Sequence, residues 1–450
     1  MKLRGQWWLP AAADRRVSGH VRVAKSGRPT LMFNTPAEGQ EAYAFDAPTL
    51  YGQLDDRTPV TLWARGFHPI QDRDGGPADE QRWRRSLTAV LVGAHLGDQD
   101  AELFSESALQ FQHLAIWSRH PTVVDHDAPA PVHDCANVSP YDASFGVKIS
   151  LLNPQIVRHR ADGSGDAIMN GSGNDSEIAF HSDPPAPLAF HDHLAMDARN
   201  LLTFSFQAEA HITRQRAVSK GREVIIYRHR TSRLSRSQKS GHNMVVTALT
   251  SNVSKIFEAW WSVASDYYPL TQILAGRYYT SRAFLEHSVS AAVAALEATY
   301  DRLDHLPSNR MDPEAFVDRQ QWHLEHEEDE DFRALLRGLG NRQSLRQKLK
   351  RLSRDLSEPV VTASGVGPKQ WVIDVMDVRD RIAHTGSHVN GVQDDGEEIL
   401  ERVDRDTRAI LSLVLCRLLG LEGESLMRSA SVLSQVGPLV RADGMPYETA

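Results

Sequence analysis

Cysteine is nearly absent from this chain of 450 residues: there are two, Cys135 and Cys416. A disulfide framework and a four-cysteine zinc site are thereby excluded, and a reducing compartment is the expectation. Long apolar runs are missing as well. The segment from Met1 to Pro10 (MKLRGQWWLP) starts positive, but no apolar stretch of the kind a secretory signal needs follows it. The cleanest apolar run near the C-terminus, Leu413 to Cys416 preceded by Ile410 and Leu411, falls far short of the roughly 18 residues of a membrane span. No membrane partner is expected, and a cytoplasmic location is. Basic charge is not in excess either: 50 Lys and Arg stand against 58 Asp and Glu, a formal net charge of -8. Such a chain has no global pull toward nucleic acid, so any nucleic-acid site has to be a local patch. No Walker-type phosphate loop, no G-x-G-x-x-G after a strand, no H-E-x-x-H and no G-x-S-x-G occurs. No cofactor is therefore expected.

What is present is the composition of a globular protein: 41% hydrophobic and 24% charged residues argue against a mostly disordered chain. The length suits about three domains, or two large ones. The first half reads as strands and turns. Residues 17–24 alternate in their second half, Leu31 and Phe33 resume after Gly27 and Pro29, and 60–63, 87–93 and 147–152 are short β-branched runs. Phe104 to Trp117 continues the apolar pattern. Residues 162–187, rich in Gly, Ser, Asp and Pro, predict a long loop, and strand-like runs return at 201–206 and 224–227. Many short strands at close spacing predict a β-rich, sandwich- or barrel-like domain over 1–245.

The period changes near residue 245. Ile256, Phe257, Trp260 and Trp261 share a helix face, and Leu270 to Leu274 follows the break at Pro269. A stripe of three- and four-residue steps runs from Phe284 to Leu303. Asp304 to Pro313 interrupts it. Leu345, Leu349, Leu352 and Leu356 form another stripe, 371–384 reads as a helix, and a last long helix is expected over 397–419. Residues 246–450 are thus expected to form an all-helical bundle. The paired tryptophans Trp7/Trp8 and Trp260/Trp261 suit core packing or a domain interface.

The segment 377–386 (DVRDRIAHTG) concentrates the chemistry. It places Arg379 five residues before His384, with Asp380 directly after the arginine. An imidazole can take a proton from a ribose 2′-hydroxyl or give one to a leaving oxygen near neutral pH. A guanidinium stabilises the extra charge on a five-coordinate phosphoryl group. RNA carries its own nucleophile, so no metal is required. Five residues on an α-helix turn through about 500°, leaving Arg379 and His384 about 140° apart. One copy gives a loose site, and two copies facing each other across a two-fold axis complete it. Asp380 and His384, four apart, share a face, so the carboxylate can orient the imidazole. Arg381 and Asp377 suit an i, i+4 ion pair. Spacing alone does not decide for catalysis, because R-x4-H also arises by chance in helices.

These residues resemble the R-x4-6-H signature of HEPN-domain ribonucleases, in which a polar residue follows the arginine. The helix starting at Phe284 (FLEHSVSAAVAALEATY), with its carboxylate Glu297, resembles the early core helix of the ApeA branch, and 411–421 (LSLVLCRLLGL) its closing helix. The beginning, 3–10 (LRGQWWLP), together with 50–52 (LYG) and 60–63 (VTLW), is similar to the N-terminal domain of the same anti-phage family. The resemblance implies an α+β multidomain protein: a β-rich domain over 1–245 that senses or regulates, followed by a HEPN nuclease domain over 246–450. It implies an abortive-infection endoribonuclease with Arg379 and His384 as the catalytic pair and Asp380 as the polar third member. The expected products are a 2′,3′-cyclic phosphate and a 5′-hydroxyl. It further implies a homodimer through the HEPN domain and a phage-derived trigger at the N-terminal domain. Aspartate at the third position departs from the common asparagine or histidine and sets a negative charge beside the phosphate, which Arg379 or Arg381 can offset. Glu297 also reads as an ordinary helix-end carboxylate. The rival reading is a non-catalytic dimer whose β domain binds a phage or host ligand.

Three further clusters stand out. A basic run from Arg214 to Lys239 includes Arg228, Arg230, Arg233 and Arg236; with Arg381 these are the candidate RNA contacts. The same run also reads as a solvated hairpin with paired charges. His181, Asp183, His191, Asp192 and His193 are of metal-ligand type, as are His126, Asp127, His133, Asp134 and Cys135, but no pair has a recognised metal spacing, and a His-rich surface loop is expected. The acidic run Glu325 to Asp331 reads as a solvated helix start or as a mimic of RNA that restrains the nuclease.

Overall fold

A computed structural model of the chain describes residues 1–23, 28–36, 47–64, 70–72, 80–118, 132–138, 146–152, 157–159, 166–168, 176–228, 244–247, 253–279, 284–385 and 395–435. It divides into two compact units, Met1–Ser265 and Asp266–Ala450.

The first unit opens with eight strands: β1 (Lys2–Trp8), β2 (Val17–Arg22), β3 (Thr30–Pro36), β4 (Thr49–Leu54), β5 (Pro59–Trp63), β6 (Ile70–Asp72), β7 (Glu80–Ser86) and β8 (Ala89–Val92). They are followed by β9 (Leu103–Phe111), α1 (Leu114–Trp117), β10 (Val132–Val138), β11 (Gly146–Leu152), β12 (Val157–His159), β13 (Asp166–Ile168), β14 (Glu177–Pro187), α2 (Leu188–Phe206), β15 (Ile212–Ser219), β16 (Arg222–Arg228) and α3 (Val253–Asp266). Fourteen of these strands form one antiparallel ladder, in the order β10-β11-β14-β9-β15-β16-β8-β5-β4-β1-β2-β3-β7-β6. Strands β12 and β13 pair separately.

The connection from β7 to β8 dictates the shape of half this ladder. Only Leu87 and Thr88 separate them, yet they stand six strands apart in the order. In a flat sheet that is six steps of about 4.8 Å, roughly 29 Å. Three residue steps reach only about 11 Å. The seven strands from β8 to β7 must therefore curl until their ends meet, as a barrel does. Backbone hydrogen bonds mark the seam: Leu87 N donates to Pro29 O before β3, and Thr88 N donates to Trp63 O on β5, both at 2.8 Å. Trp7, Val21, Leu31, Leu50, Leu62 and Val90 fill one core. Trp63, Ala89, Leu91, Phe104 and Leu188 fill another. Leu62 and Trp63 fall in different cores because successive strand residues face opposite sides.

Gly52 on β4 is required by that packing. A Cβ built there would overlap the six-membered ring of the fully buried Trp7. Gly52→Ala is expected to cost about 1–3 kcal/mol by overpacking. Urea titration of the full chain checks it; an unchanged midpoint of the β unit would show that the indole can move aside.

Two stretches fold differently from the sequence expectation. Residues 201–206, expected as a strand, are the last turns of α2, and all six are buried. The expected loop over 162–187 contains β13 and, from Glu177, β14. Pro184 and Pro185 are accommodated because the β14–β9 register shifts between His181 and Ala186, where a strand can do without ladder donors. The first unit also runs past residue 245: α3 packs there through Phe257 against Trp117, Trp261 against Phe180, and the Trp260 Nε1–H bond to Asp197 O on α2 (3.0 Å). Both tryptophan pairs are buried.

The second unit is helical: α4 (Leu270–Gly276), α5 (Leu285–Tyr300), α6 (Pro313–His326), α7 (Glu330–Gly338), α8 (Leu345–Asp355), α9 (Glu358–Ala363), α10 (Pro368–Thr385), α11 (Asp395–Leu418) and α12 (Gly423–Ser434). Helix α11 is its axis and packs against α4, α5, α10 and α12. It is apolar nearly all round from Ala409 to Cys416, as a central helix must be. Its buried Arg408 is fully engaged: Nε donates to Asp404 Oδ1 (2.9 Å), Nη1 to Ile273 O (2.8 Å) and Nη2 to Ser288 Oγ (2.9 Å). An internal charge is tolerable when paired and hydrogen-bonded in this way.

Candidate active site on helix α10

Helix α10 carries the Arg379–His384 segment, and its inner face is fixed by α11. Trp371, Val375 and Val378 recur at helical spacing and are buried. Trp371 Nε1–H donates to Thr407 Oγ1 on α11 at 3.1 Å. Asp374 accepts from Arg402 Nε of α11 (2.9 Å) and from Gln370 Nε2 of its own helix (2.7 Å). Thr407, Asp374, Arg402 and Gln370 were not singled out from sequence. The available signal was Asp374, a carboxylate set inside an apolar stripe, as a buried paired charge must be.

The helix runs unbroken to Thr385, so position 384 lies one turn after Asp380 and about 140° around from Arg379. Arg379, Asp380 and Arg381 are exposed. Arg379 has no hydrogen-bond or ion-pair partner among the described residues. The side chain of His384 lies outside the described residues. Ile373, on the outer face with Asp377 and Asp380, is 43% exposed, so that face is not purely polar. The arrangement offers a solvent-facing guanidinium and a carboxylate on a rigidly held helix, with a histidine position in its last turn.

The remaining candidates are placed as follows. Arg228, at the end of β16, is ion-paired with Asp192 of α2. Arg230, Arg233 and Arg236 lie outside the described residues. Elsewhere in that basic run, Arg216 is held by Glu106 (2.6 Å) and Glu177 (2.8 Å), and Lys220 lies 3.2 Å from Glu102. Of the described cations of that run, Arg216, Lys220 and Arg228 are paired as in the hairpin reading, whereas Arg214 and Arg222 are exposed and form no ion pair among the described residues. Glu297 is half-buried and lies 3.9 Å from Lys348.

The expected His-rich loop is instead the end of β14 and the start of α2. His191 is fully buried there: its Nε2 bonds Phe104 O (3.0 Å) and its Nδ1 meets Ser107 Oγ (3.0 Å). Burial holds its pKa below the ordinary imidazole value, so it packs as a neutral ring. His181 lies against Glu106 (3.3 Å), and the hydrogen bond from that imidazole is the main reason the Glu106 carboxyl lies below its usual range. Among the described residues no group of three or more His, Cys, Asp or Glu is arranged to hold a metal ion. His126, Asp127, and the side chains of His133, Asp134 and Cys135, lie outside the description. No described helix is long and apolar enough to cross a membrane.

The acidic run forms the tip between α6 and α7. Asp329 caps α7, accepting from Asp331 N (2.9 Å) and Phe332 N (3.2 Å). Glu330 pairs with Arg333 and Arg337. That is the solvated helix start expected from the sequence, although α6 before it was not foreseen.

Comparison with known families places both units. The family described as ApeA N-terminal domain 1 matches residues 2–133, the strands of the curled sheet among them. The family described as Apea-like HEPN matches residues 290–425, from α5 into α12 and including Arg379 to His384. No curated protein and no solved structure matches the chain. The HEPN match supports, as a general class, a nuclease-type function in anti-phage defence. With one ApeA model on its strands and a second on its helices, this chain is an ApeA-type HEPN-family protein.

Proposed function

We propose that the chain is a metal-independent endoribonuclease of abortive infection, cutting RNA at the α10 segment. The observation that carries this reading is the exposed Arg379, free of any carboxylate among the described residues, on an unbroken helix with His384 inside the HEPN-matched region. In the reaction the imidazole of His384 takes the proton of a ribose 2′-hydroxyl. The 2′-oxygen then attacks the adjacent phosphorus, the P–O5′ bond breaks, and O5′ leaves with a proton. Arg379 binds the phosphoryl oxygens and stabilises their added charge in the transition state. Asp380, one turn before the histidine, orients the ring. One imidazole cannot be base and acid at the same instant. A second copy of the chain, related by a two-fold axis, supplies the other one and brings a second arginine.

The test is to incubate purified full-length protein with total cellular RNA in excess EDTA, with and without extract of phage-infected cells, and to map the new ends. Cleavage leaving 2′,3′-cyclic phosphates and 5′-hydroxyls is expected. Ends bearing 3′-hydroxyls, a strict need for a divalent cation, or intact RNA in both conditions would overturn the reading.

A further inference from the structure

Helix α8 carries a row of cations that form no ion pair among the described residues. Between Asn341 and Asp355 the chain has six basic residues, Arg342, Arg346, Lys348, Lys350, Arg351 and Arg354, and no carboxylate. The helix starts on a capping box, with Ser344 N donating to Gln347 Oε1 (2.9 Å) and Gln347 N to Ser344 Oγ (3.4 Å). Its apolar face, Leu345, Leu349 and Leu352, is buried, and Leu356 just after it is too. The helix packs against α5, α9 and α10.

Two nearby carboxylates, Asp301 and Asp355, are held by other groups. Lys348, buried on the inner side, holds Asp301 at 2.7 Å. Asp355 is held by Arg417 (2.6 Å) and His305 (3.2 Å). Arg346, Lys350 and Arg354 are exposed and form no ion pair among the described residues. They recur at four-residue steps, so they make one row along the helix with about 6 Å between successive steps. The row spans about 12 Å, the length over which a duplex strand presents about three to four phosphates. In a chain of net charge -8, such a row is a local attraction for a polyanion.

We infer that this face of α8 is an RNA-backbone binding surface, gripping the phosphates of the strand that α10 cuts. The inference rests on the ribonuclease reading for the identity of the polyanion. An anionic membrane fits less well: a helix that lies on a membrane needs its apolar face free, and here that face is buried in the bundle. Contacts of this kind position the substrate without reading its sequence. Arg346, Lys350 and Arg354 are thus binding residues that leave the chemistry to α10.

The test uses the full-length protein and a 5′-fluorescein-labelled single-stranded RNA of mixed sequence, read by anisotropy in EDTA over a range of salt. The triple variant Arg346→Gln, Lys350→Gln, Arg354→Gln keeps helix propensity and removes three charges. A control triple of exposed cations in the β unit, Arg4→Gln, Arg15→Gln, Arg22→Gln, changes the net charge equally. The α8 variant is expected to bind about ten- to a hundredfold more weakly near 0.1 M salt, with the slope of log K against log salt shallower by about 2. The control is expected to bind like the parent. Equal binding by parent and α8 variant, equal weakening by both triples, or a parent that does not bind RNA would overturn the inference. A change in oligomeric mass with RNA affinity intact would also overturn it, and would show that the row meets a second copy of the chain, for instance its acidic α6–α7 tip. The ribonuclease reading fails separately, if the ends of cut RNA or the response to His384→Ala are wrong while the α8 effect on binding stands.

Discussion

His384→Ala is expected to lower RNA cleavage by about 10²- to 10⁴-fold, the range that a positioned proton-transfer group contributes. Stability is expected to hold, because position 384 lies in the last turn of α10, beyond the buried Trp371, Val375 and Val378 that fix the helix. Arg379→Ala is expected to match that loss, since an exposed guanidinium without a carboxylate partner among the described residues has no folding role there to forfeit. Arg379→Lys keeps the charge but loses the planar fork, so it is expected to recover only part of the activity. The measurement is single-turnover cleavage of a labelled RNA beside a urea unfolding curve for each variant. The two readouts separate chemistry from folding. Full activity in His384→Ala would move the reaction elsewhere in the chain. Lost activity with an equally shifted unfolding curve would make the residue structural.

The candidate segment and its helix were legible in the sequence because Arg379, Asp380 and His384 sit in one short stretch and the helix has a plain period. Trp371, Val375 and Val378 mark the inner face, so the outward position of Asp380 follows from spacing alone. The α8 row was not legible. Six cations in thirteen residues look alike in a sequence, and only the fold shows Lys348 taken by Asp301 while Arg346, Lys350 and Arg354 form no ion pair among the described residues. The change from strands to helices was readable from the switch in period, and the curling of the sheet was not. The curl depends on which strands pair, and the two-residue link from β7 to β8 means nothing until β7 is known to pair with β3 and β8 with β5.

Misread elements have equally specific causes. Leu201, Leu202, Phe204 and Phe206 are buried on all sides of α2, and a short apolar run buried all round looks the same in a helix and a strand. Helix α6 has no buried residue, so it lacks the stripe that betrays a helix. Its start was nonetheless written in the chain, as Asp312 at the cap and Pro313 in the first turn.

Asp197→Asn is expected to stabilise the β unit at pH 8 and to flatten its dependence on pH. Asp197 lies on α2, 4% exposed, and its Oδ2 has no hydrogen-bond partner among the described residues. Helix α3 closes over this stretch, with Trp260 bonded to the Asp197 carbonyl. Burial alone pushes the carboxyl up to about 7, from 3.8. Between those values the folded protein keeps a proton that the unfolded chain has already released. Stability contributed by this group is therefore full below about pH 4 and falls as pH rises towards 7; above that the loss is complete. Three pKa units correspond to about 4 kcal/mol. Asparagine is neutral at every pH and nearly the same shape, so the variant escapes that loss. Its advantage over the parent should be near zero at pH 4 and approach about 4 kcal/mol at pH 8, less about 1–3 kcal/mol if the amide donors stay unsatisfied. Urea unfolding of parent and variant at several pH values isolates the effect, because every other titrating group is common to both. A difference that does not change with pH would mean that the carboxylate is ionised in the folded protein and is reached by water or by a cation. A difference that grows with pH would identify Asp197 as a group whose ionisation destabilises this unit as pH rises.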